Sequence, residues 1–170
     1  MRNIRIILFA FFITFAIAET HKSYYPDGKI KSATTYKDGT KSGVEHIFYP
    51  DGATLMYAKN YLHGKLHGLQ QKYDKSALLI QEENYTHGKL DGKSRYYHNG
   101  LLVSEIEYRR GLPDGEYKEF YPSGVMRLRI IWRRGKAIEG YRYGEDGSTS
   151  PVENKTLQAL TAKAQMQADE

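Results

Sequence analysis

The sequence predicts an all-β protein, a ladder of about five β-hairpins that together present one long sheet surface. The first observation behind this prediction is a tyrosine repeated at a strict interval of 24 residues, at Tyr25, Tyr49, Tyr73, Tyr97 and Tyr121. The second is composition, because the 170 residues include 15 Tyr and 16 Gly. Tyrosine favours strands, and glycine allows the positive φ angles of tight turns. Self-similarity of this period is typical of repeat proteins.

Each repeated tyrosine opens a four-residue turn segment. The segments read YPDG, YPDG, YDKS, YHNG and YPSG along the chain, and glycine ends all but the third, at Gly28, Gly52, Gly100 and Gly124. Proline presets φ, aspartate bonds to nearby backbone and glycine accepts the left-handed conformation. These segments therefore predict a type I turn that closes through a bulge. Ser76 stands where the third segment lacks its glycine, and we expect a distorted turn there.

A second aromatic residue and two further glycines complete each unit. The aromatic residues are Tyr36, Tyr61, Tyr85, Tyr108 and Trp132. A glycine follows three residues later, at Gly39, Gly64, Gly88, Gly111 and Gly135. Another follows four or five residues further on, at Gly43, Gly68, Gly92, Gly115 and Gly140. Each unit is therefore predicted to contain two strands and two turns, with a longer final turn in the fifth copy.

Apolar residues alternate with polar ones in the fifth copy, as a strand with one covered face requires. One face receives Met126, Leu128, Ile130 and Trp132. The other receives Arg127, Arg129, Ile131 and Arg133. Copies two and three hold one extra residue between their two aromatics, which we interpret as a β-bulge, because an uncorrected slip would turn later side chains to the wrong face. Since single hairpins are marginal in water, neighbours must stack, and equivalent aromatics would form a stripe along the sheet.

The N-terminal segment, residues 1–18, predicts a cleaved signal peptide. Arg2 and Arg5 precede an apolar run of 12 residues, and residues 16–18 (Ala-Ile-Ala) provide a small-x-small cleavage site. An uncleaved membrane anchor is the alternative, but this run falls short of the ~20 apolar residues that a spanning helix needs. We therefore expect an exported chain, periplasmic or secreted, that begins near Glu19.

The blocks YLHGKLHG, YTHGKLDG and YRRGLPDG, with turn segments such as YPDG or YHNG before them, resemble the MORN repeat (membrane occupation and recognition nexus). The resemblance spans roughly residues 24–147 and extends to the bacterial variant found in proteins labelled YwqK-like antitoxin components. It implies an elongated, single-layer antiparallel meander of successive hairpins. It also implies protein–protein scaffolding, contact with membrane lipids in some members, and by label an immunity or antitoxin role.

A change of composition near the C-terminus predicts a helical tail. The resulting division of the chain is a signal peptide at 1–18, a repeat domain at 19–148 and a helical tail at 149–170. Ser150 as N-cap, Pro151 at the first helical position and Glu153 at the third match a helix start, so we expect a helix from Pro151 to Ala168. The helix is expected to cover the last strand edge loosely, with fraying in solvent as the alternative.

Nothing in the sequence predicts catalysis, a cofactor or a metal. The absence of cysteine excludes disulfides, thiolate metal sites and a cysteine nucleophile. His63, His67 and His87 cluster in the glycine turns, where a four-residue spacing does not align two rings as it would on a helix. A one-layer strip rarely forms the concave pocket that an enzyme needs. The net charge of +5, two units of which come from Arg2 and Arg5, is too mild to predict a nucleic-acid partner.

We expect the binding surface to combine exposed aromatics with basic residues of the last repeats. Its residues are Tyr49, Tyr73, Tyr97, Tyr121, Tyr108, Trp132, Arg127, Arg129 and Arg133. The leading partner is another protein. The alternatives are an anionic membrane reached through the arginines, a toxin neutralised by capture, and a polysaccharide stacked on tyrosines. The plainer interpretations are an aromatic core and a solvated basic face, and two exposed strand edges leave the oligomeric state open.

Overall fold

The structure, a computed structural model, describes residues 17–168 of the chain. The predicted signal peptide, residues 1–18, therefore lies outside the described residues except for Ile17 and Ala18, and its cleavage stays a prediction. Within the described part of the chain, no helix combines the length and the apolar character that crossing a bilayer requires.

The described residues form one open, antiparallel sheet of 14 strands and a single C-terminal helix. The strands are β1 (Ala18–Tyr24), β2 (Ile30–Lys37), β3 (Thr40–Phe48), β4 (Leu55–Leu62), β5 (Lys65–Leu66), β6 (Gly68–Tyr73), β7 (Leu79–Thr86), β8 (Lys89–Leu90), β9 (Gly92–His98), β10 (Leu101–Arg109), β11 (Leu112–Phe120), β12 (Met126–Arg133), β13 (Lys136–Tyr143) and β14 (Thr149–Pro151). Each strand pairs with its neighbours in the chain, and the two-residue strands β5 and β8 pair with β4 and β7 beside the main path. The predicted meander is confirmed.

One edge of this ribbon, the short-turn edge, consists of five two-residue turns. The turns are Asp38-Gly39, His63-Gly64, His87-Gly88, Arg110-Gly111 and Arg134-Gly135. Both central residues have positive φ, 46° to 52° at the first position and 71° to 90° at the glycine. This is the type I′ geometry, whose twist matches that of the paired strands. The predicted glycine turns are thus confirmed, and the residue before each glycine shares the left-handed conformation.

From the second short turn on, a backbone hydrogen bond connects each turn to the preceding repeat. The N–H of Gly64 donates to the carbonyl of Lys41 at 2.8 Å, and that of Gly88 donates to Leu66 at 2.8 Å. The same bond recurs from Gly111 to Leu90 and from Gly135 to Pro113. Adjacent repeats are therefore joined at this edge through groups that every repeat provides.

The opposite side, the long-turn edge, is joined by tyrosine hydroxyls. Tyr25 donates to the carbonyl of Phe48 at 2.7 Å, and Tyr49 donates to that of Tyr73 at 2.9 Å. Tyr121 makes the same bond to the carbonyl of Tyr143 at 3.1 Å. Three of the five periodic tyrosines thus act as ties between one repeat and the next.

Tyr73 and Tyr97 are not structural equivalents of these ties, which corrects the strict 24-residue interpretation. The third long turn begins one residue later, at Asp74, and Ala77 (φ 60°) occupies the left-handed position expected of a glycine near Ser76. The fourth is a two-residue turn in which Asn99 (φ 50°) precedes Gly100. Turn chemistry, rather than the sequence interval, sets where each strand ends.

The extra residues of copies two and three also lie in turns, and the prediction of a special β-bulge there is wrong. The N–H of Tyr49 bonds to the carbonyl of Thr54, one residue further than the corresponding bond from Tyr25 to Lys29. In copy three the later turn start absorbs the extra residue. Bulges occur in the other repeats as well, for example between Glu119 and Phe120, and each increases the local twist of the ribbon.

The C-terminal helix α1 (Asn154–Ala168) begins three residues later than predicted. Ser150 and Pro151 belong instead to β14, where Pro151 pairs with Tyr141 of β13. The pairing provides hydrogen-bond partners for part of the outer edge of β13, which would otherwise be exposed. A helix-capping pattern is a local feature of the sequence, so it does not indicate this pairing with a distant strand. The first helical N–H groups bond to the carbonyl of Glu153, and the helix reaches Ala168 as expected.

The helix is docked on the sheet rather than frayed. Ile130, Trp132, Val152 and Leu157 form the buried core, each at most 6% exposed. The Oγ1 atom of Thr161 accepts a 2.9 Å hydrogen bond from the N–H of Ala137 and so holds the second helical turn. Close packing favours glycine at residue 140, because a Cβ atom there would crowd the buried Ile130 and would lie 3.0 Å from Val152.

Docking of α1 is testable through Trp132, the only tryptophan of the chain. Replacing Leu157 with Ala removes a buried side chain, so we expect the free energy of unfolding to fall by about 2–3 kcal/mol and the emission of Trp132 to shift to longer wavelength. The matched control is Gln158→Ala, one residue away and exposed. Denaturant titration and fluorescence spectra measure both effects, and equal behaviour of the two variants would contradict the docked arrangement.

Candidate binding face

One side of the sheet, the helix face, carries α1 and a regular row of aromatic rings. The row consists of Tyr36, Tyr61, Tyr85, Tyr108 and Trp132. From the second member on, each lies opposite the bulge glycine of the preceding strand: Gly43 pairs with Tyr61, Gly68 with Tyr85, Gly92 with Tyr108 and Gly115 with Trp132. A glycine has no side chain, so each ring finds space above the neighbouring strand. The predicted aromatic stripe exists, and it is made of the second aromatic of each unit.

Beside this stripe runs a row of buried residues whose polarity changes along the ribbon. Thr34, Glu45, Gln70 and Ser94 are buried in the first three repeats, and Ile130 is buried in the fifth. The helix covers only the apolar end of this row. The remaining tyrosines of the stripe, over repeats one to four, are half-buried, and residues 17–168 place no second layer above them.

Glu45 is the centre of a polar network on the helix face. Its carboxylate accepts hydrogen bonds from Lys41 at 2.7 Å, from Tyr61 at 2.9 Å and from Thr34 at 3.0 Å. Burial raises the pKa of Glu45, but these three hydrogen bonds outweigh burial and hold the pKa below its ordinary value of 4.5. The group is therefore a structural anion at neutral pH and has no proton to give.

A second carboxylate, Glu83, is engaged in the same way in the middle of the helix face. It accepts hydrogen bonds from Tyr85 at 3.1 Å and from Tyr96 at 3.2 Å. Burial, with the Glu83 charge adding to it, raises the pKa of Tyr85 to about 12, and the same two causes raise the pKa of Tyr96. Both phenols stay protonated at neutral pH and act as donors rather than as bases.

Two lysines converge on one ring between these carboxylates. The Lys59 ammonium lies 4.8 Å from the centre of the Tyr57 ring, and the Lys72 ammonium lies 5.4 Å from the same centre. These are cation–π distances. Among the ion pairs of residues 17–168, neither lysine has a carboxylate within 4 Å. The three residues line a shallow depression together with Gln70 and Tyr85.

The other side of the sheet, the open face, is covered by ion pairs between neighbouring strands. Glu105 bonds to Lys93 at 2.9 Å and to Arg95 at 2.7 Å. Glu116 of β11 binds Arg129 of β12, and it also binds Lys118 of its own strand. Opposite charges on adjacent strands stabilise a sheet and leave little unbalanced charge on this face.

The structure does not bring the sequence-predicted binding residues into one surface. Tyr73 and Tyr97 lie on the open face, bonded to Gln71 and Glu82. Tyr49 and Tyr121 are the edge ties described above. Trp132 is in the core beneath α1, and only Tyr108 belongs to the uncovered part of the stripe.

The predicted arginines are divided in a similar way. Arg127 is ion-paired with Glu119, and Arg129 is ion-paired with Glu116, whereas Arg133 is exposed. Other exposed basic residues gather on the short-turn edge instead. They are Lys37, Lys65, Lys89, Arg109, Arg110, Arg134 and Lys136, which lie on this edge with Arg133. The alternation of side chains in the sequence did not indicate this basic edge. The positions of the glycine turns in the sequence were the signal that could have indicated it.

The histidines behave as turn residues. His63 and His87 occupy the left-handed position of their turns, and the ring of His67 contacts that of His87 edge-on, with the centres 5.4 Å apart. Within residues 17–168, no three His, Asp or Glu side chains are grouped as metal ligands would be.

The Glu45 network predicts a pH dependence of stability. Because the folded-state pKa is lowered, its stabilisation is complete above the unfolded-state pKa, near 4.5, and is lost as pH falls through the folded-state value. Replacing Glu45 with Gln should cost about 2 kcal/mol at pH 7, since hydrogen bonds to a charged group are lost. The difference between variant and wild type should shrink below pH 4.5. Chemical denaturation at several pH values measures this, with exposed Glu19→Gln as control, and a difference independent of pH would refute it.

Two segments of the chain, residues 20–38 and 113–132, match the family model described as MORN repeat variant. No curated protein sequence matches the chain. A similar solved structure is titled "Crystal structure of accessory secretory protein 1,2 and 3 in Streptococcus pneumoniae", with 11% identity, 94% of this chain and 23% of that chain covered, and a TM-score of 0.25. This chain thus spans about a quarter of that protein's length. The narrower antitoxin-component assignment stays a prediction, whereas MORN-variant repeats are present at two sites, each containing one strand–long turn–strand unit.

Proposed function

We propose that the chain is an exported, non-catalytic scaffold that binds another protein along the helix face. The observation that carries the proposal is the uneven cover of one aromatic stripe. At Trp132 the stripe is buried under α1, whereas Tyr61, Tyr85 and Tyr108 lie on the same face without a second layer. Aromatic side chains that a single-layer sheet cannot fully bury mark a surface suited to contact.

The charge distribution supports the helix face over the open face. Carboxylates of the open face, such as Glu105 and Glu116, already have basic neighbours within the sheet. A partner there would have to replace satisfied ion pairs, at a cost in desolvation. Rings on the helix face provide contact area without that cost.

The chemistry of the side chains supports a scaffold rather than an enzyme. Hydrogen bonds hold the pKa values of Glu45 and Glu116 below their ordinary range, and burial holds that of Tyr85 above it. A general acid or base needs a pKa near the working pH, and the shifts here run in the opposite direction. Toxin capture, as the antitoxin label implies, would be one form of the same binding.

Site-specific photo-crosslinking tests the proposal. Benzoylphenylalanine replaces Gln81 on the helix face or, as the matched control, Leu69 on the open face of the neighbouring strand. We expect a protein adduct from Gln81 and none from Leu69 after irradiation of the producing cells. Adducts from Leu69 alone, or from neither position, would contradict binding along the helix face.

A second candidate function is contact between the short-turn edge and an anionic membrane. Eight exposed basic residues line this edge beside the exposed acidic turn residue Asp38, whereas the long-turn edge carries Asp27, Asp51, Asp74, Glu145 and Asp146 together with Lys29 and Lys75. The short-turn edge is therefore predominantly basic, and the long-turn edge has more acidic than basic residues. Each basic residue near an anionic lipid surface contributes about 1 kcal/mol of attraction.

Liposome binding separates this edge from the arginines first predicted. Replacing Arg110, Arg134 and Lys136 with Glu should weaken binding to phosphatidylserine vesicles by a factor on the order of 100, because at least three attractions are lost. Replacing Arg127 and Arg129, which are already ion-paired, should change binding far less. Sedimentation with vesicles at two salt concentrations measures the affinity of both sets of variants. Binding that does not weaken with added salt, or that is unchanged by the triple replacement, would contradict this candidate function.

A further inference from the structure

We infer that the partner presents an amphipathic α-helix that continues the path of α1 along the helix face and places a carboxylate beside Lys59 and Lys72. This inference rests on the proposed function and specifies the shape and charge of the partner segment. Four observations carry it: the direction of α1, the open depression at its leading end, the length of uncovered stripe beyond it, and two lysines that form no ion pair within residues 17–168.

The direction of α1 follows from its contacts. The chain enters the helix beside β13, where the Val152 N–H bonds to the Gly140 carbonyl. Leu157 packs in the core with Ile130 of β12, and Leu160 and Ala164 then border residues of β10 and β11. The helix thus crosses the strands and runs along the ribbon, towards the N-terminal repeats.

The leading end of α1 borders an open depression on the helix face. Ile106, Tyr108 and Tyr117 form its floor, and Leu160 and Ala164 of α1 form one wall. The lining is mainly apolar, so a second helix placed in line with α1 would meet the kind of surface that α1 itself covers. The depression is continuous with the interface that the protein already uses for one helix.

The uncovered stripe beyond this point has the length of an ordinary helix. From β10 to β4 the main path crosses four strand spacings, which at ~4.8 Å each amount to about 19 Å. A helix of about 13 residues, rising 1.5 Å per residue, spans this distance. Along it lie Tyr85, Tyr96 and Tyr57, all half-buried.

At the far end of this path, neither of the two lysines has a carboxylate of residues 17–168 within 4 Å. Glu45 lies opposite Lys59 on the neighbouring strand, but it is engaged by Lys41, Tyr61 and Thr34. Lys59 and Lys72 both approach the Tyr57 ring, and like charges held near each other are unfavourable unless a counter-charge lies between them. Glu83, in the same depression, is occupied by the hydroxyls of Tyr85 and Tyr96. An acidic side chain of the partner would complete the site, with a partly desolvated ion pair as its specific contact.

A second copy of α1 does not have this chemistry. Between Asn154 and Ala168 the helix contains Lys155 and Lys163 and no acidic residue. Its charges would repel Lys59 and Lys72. The observations therefore favour a different protein over self-association through this face.

The test uses fluorescein-labelled, 14-residue synthetic helical peptides with leucine at positions i, i+3, i+4 and i+7. The polar positions carry Glu in one peptide, Gln in a second and Lys in a third. Fluorescence anisotropy measures their binding to the full chain and to the Lys59→Glu/Lys72→Glu variant. The control variant is Lys75→Glu/Lys89→Glu, which changes net charge equally at two exposed residues away from the helix face, Lys75 in the third long turn and Lys89 at the start of β8.

We expect the Glu peptide to bind the wild type most tightly and to lose at least tenfold in affinity for the Lys59/Lys72 variant. The control variant should bind it within twofold of the wild type. The Lys peptide should show the reverse preference and bind the Lys59/Lys72 variant better. Equal affinity of the Glu peptide for all three proteins, or its failure to bind, would overturn the inference.

Sequencing the adduct formed at position 81 separates this inference from the proposed function. An acidic segment with apolar residues at helical spacing supports both. A protein adduct through a basic or extended segment retains the scaffold and overturns the helix. A lipid adduct, or none, overturns both.

Discussion

The structure depends on the bonds between neighbouring repeats, because a single-layer sheet has no second layer against which each hairpin could bury its side chains. Two hydrogen bonds at opposite edges meet this constraint. On the short-turn edge a glycine N–H donates to a carbonyl of the preceding repeat, as Gly88 does to Leu66. On the long-turn edge a tyrosine hydroxyl donates to a carbonyl of the following repeat, as Tyr49 does to Tyr73. Since both kinds of bond connect repeats, the stability of each hairpin is shared with its neighbours.

The bulge glycines connect this backbone arrangement to the binding face. Gly68 provides the space in which the Tyr85 ring lies, and Gly92 provides it for Tyr108. The same residue pattern that ties the repeats therefore aligns the aromatic rings on one side of the sheet. Glu45, in the buried row beside these rings, has its hydrogen bonds within the sheet. A face of this kind is organised before any partner arrives, which lowers the entropic cost of binding.

Sequence reasoning was sufficient for features set by local chemistry and insufficient for features set by pairing. Glycine turns and alternating side chains have local signatures, so the meander and the covered face of β12 were predictable. The position of Tyr73 was not, because Ala77 adopts a left-handed conformation that few alanines take, and this moves the turn by one residue. Strand β14 was not predicted, because Ser150 and Pro151 match a helix cap in the local sequence. These residues are stabilised instead by their pairing with β13. Ion pairs of Arg127 and Arg129 depend on cross-strand register, which the sequence does not display.

The change from polar to apolar burial along the helix face determines what each part of it can bind. At Ile130 the buried row is apolar, and α1, whose contacting residues are Leu157 and Leu160, is a sufficient cover. At Glu45 and Gln70 the row is polar but already hydrogen-bonded, so a partner that covers it need not supply those bonds. The partner must instead be complementary to the half-buried rings and to the ammonium groups around Tyr57. Affinity would then come from the rings, which are shared by all repeats, and specificity from the lysines, which are not.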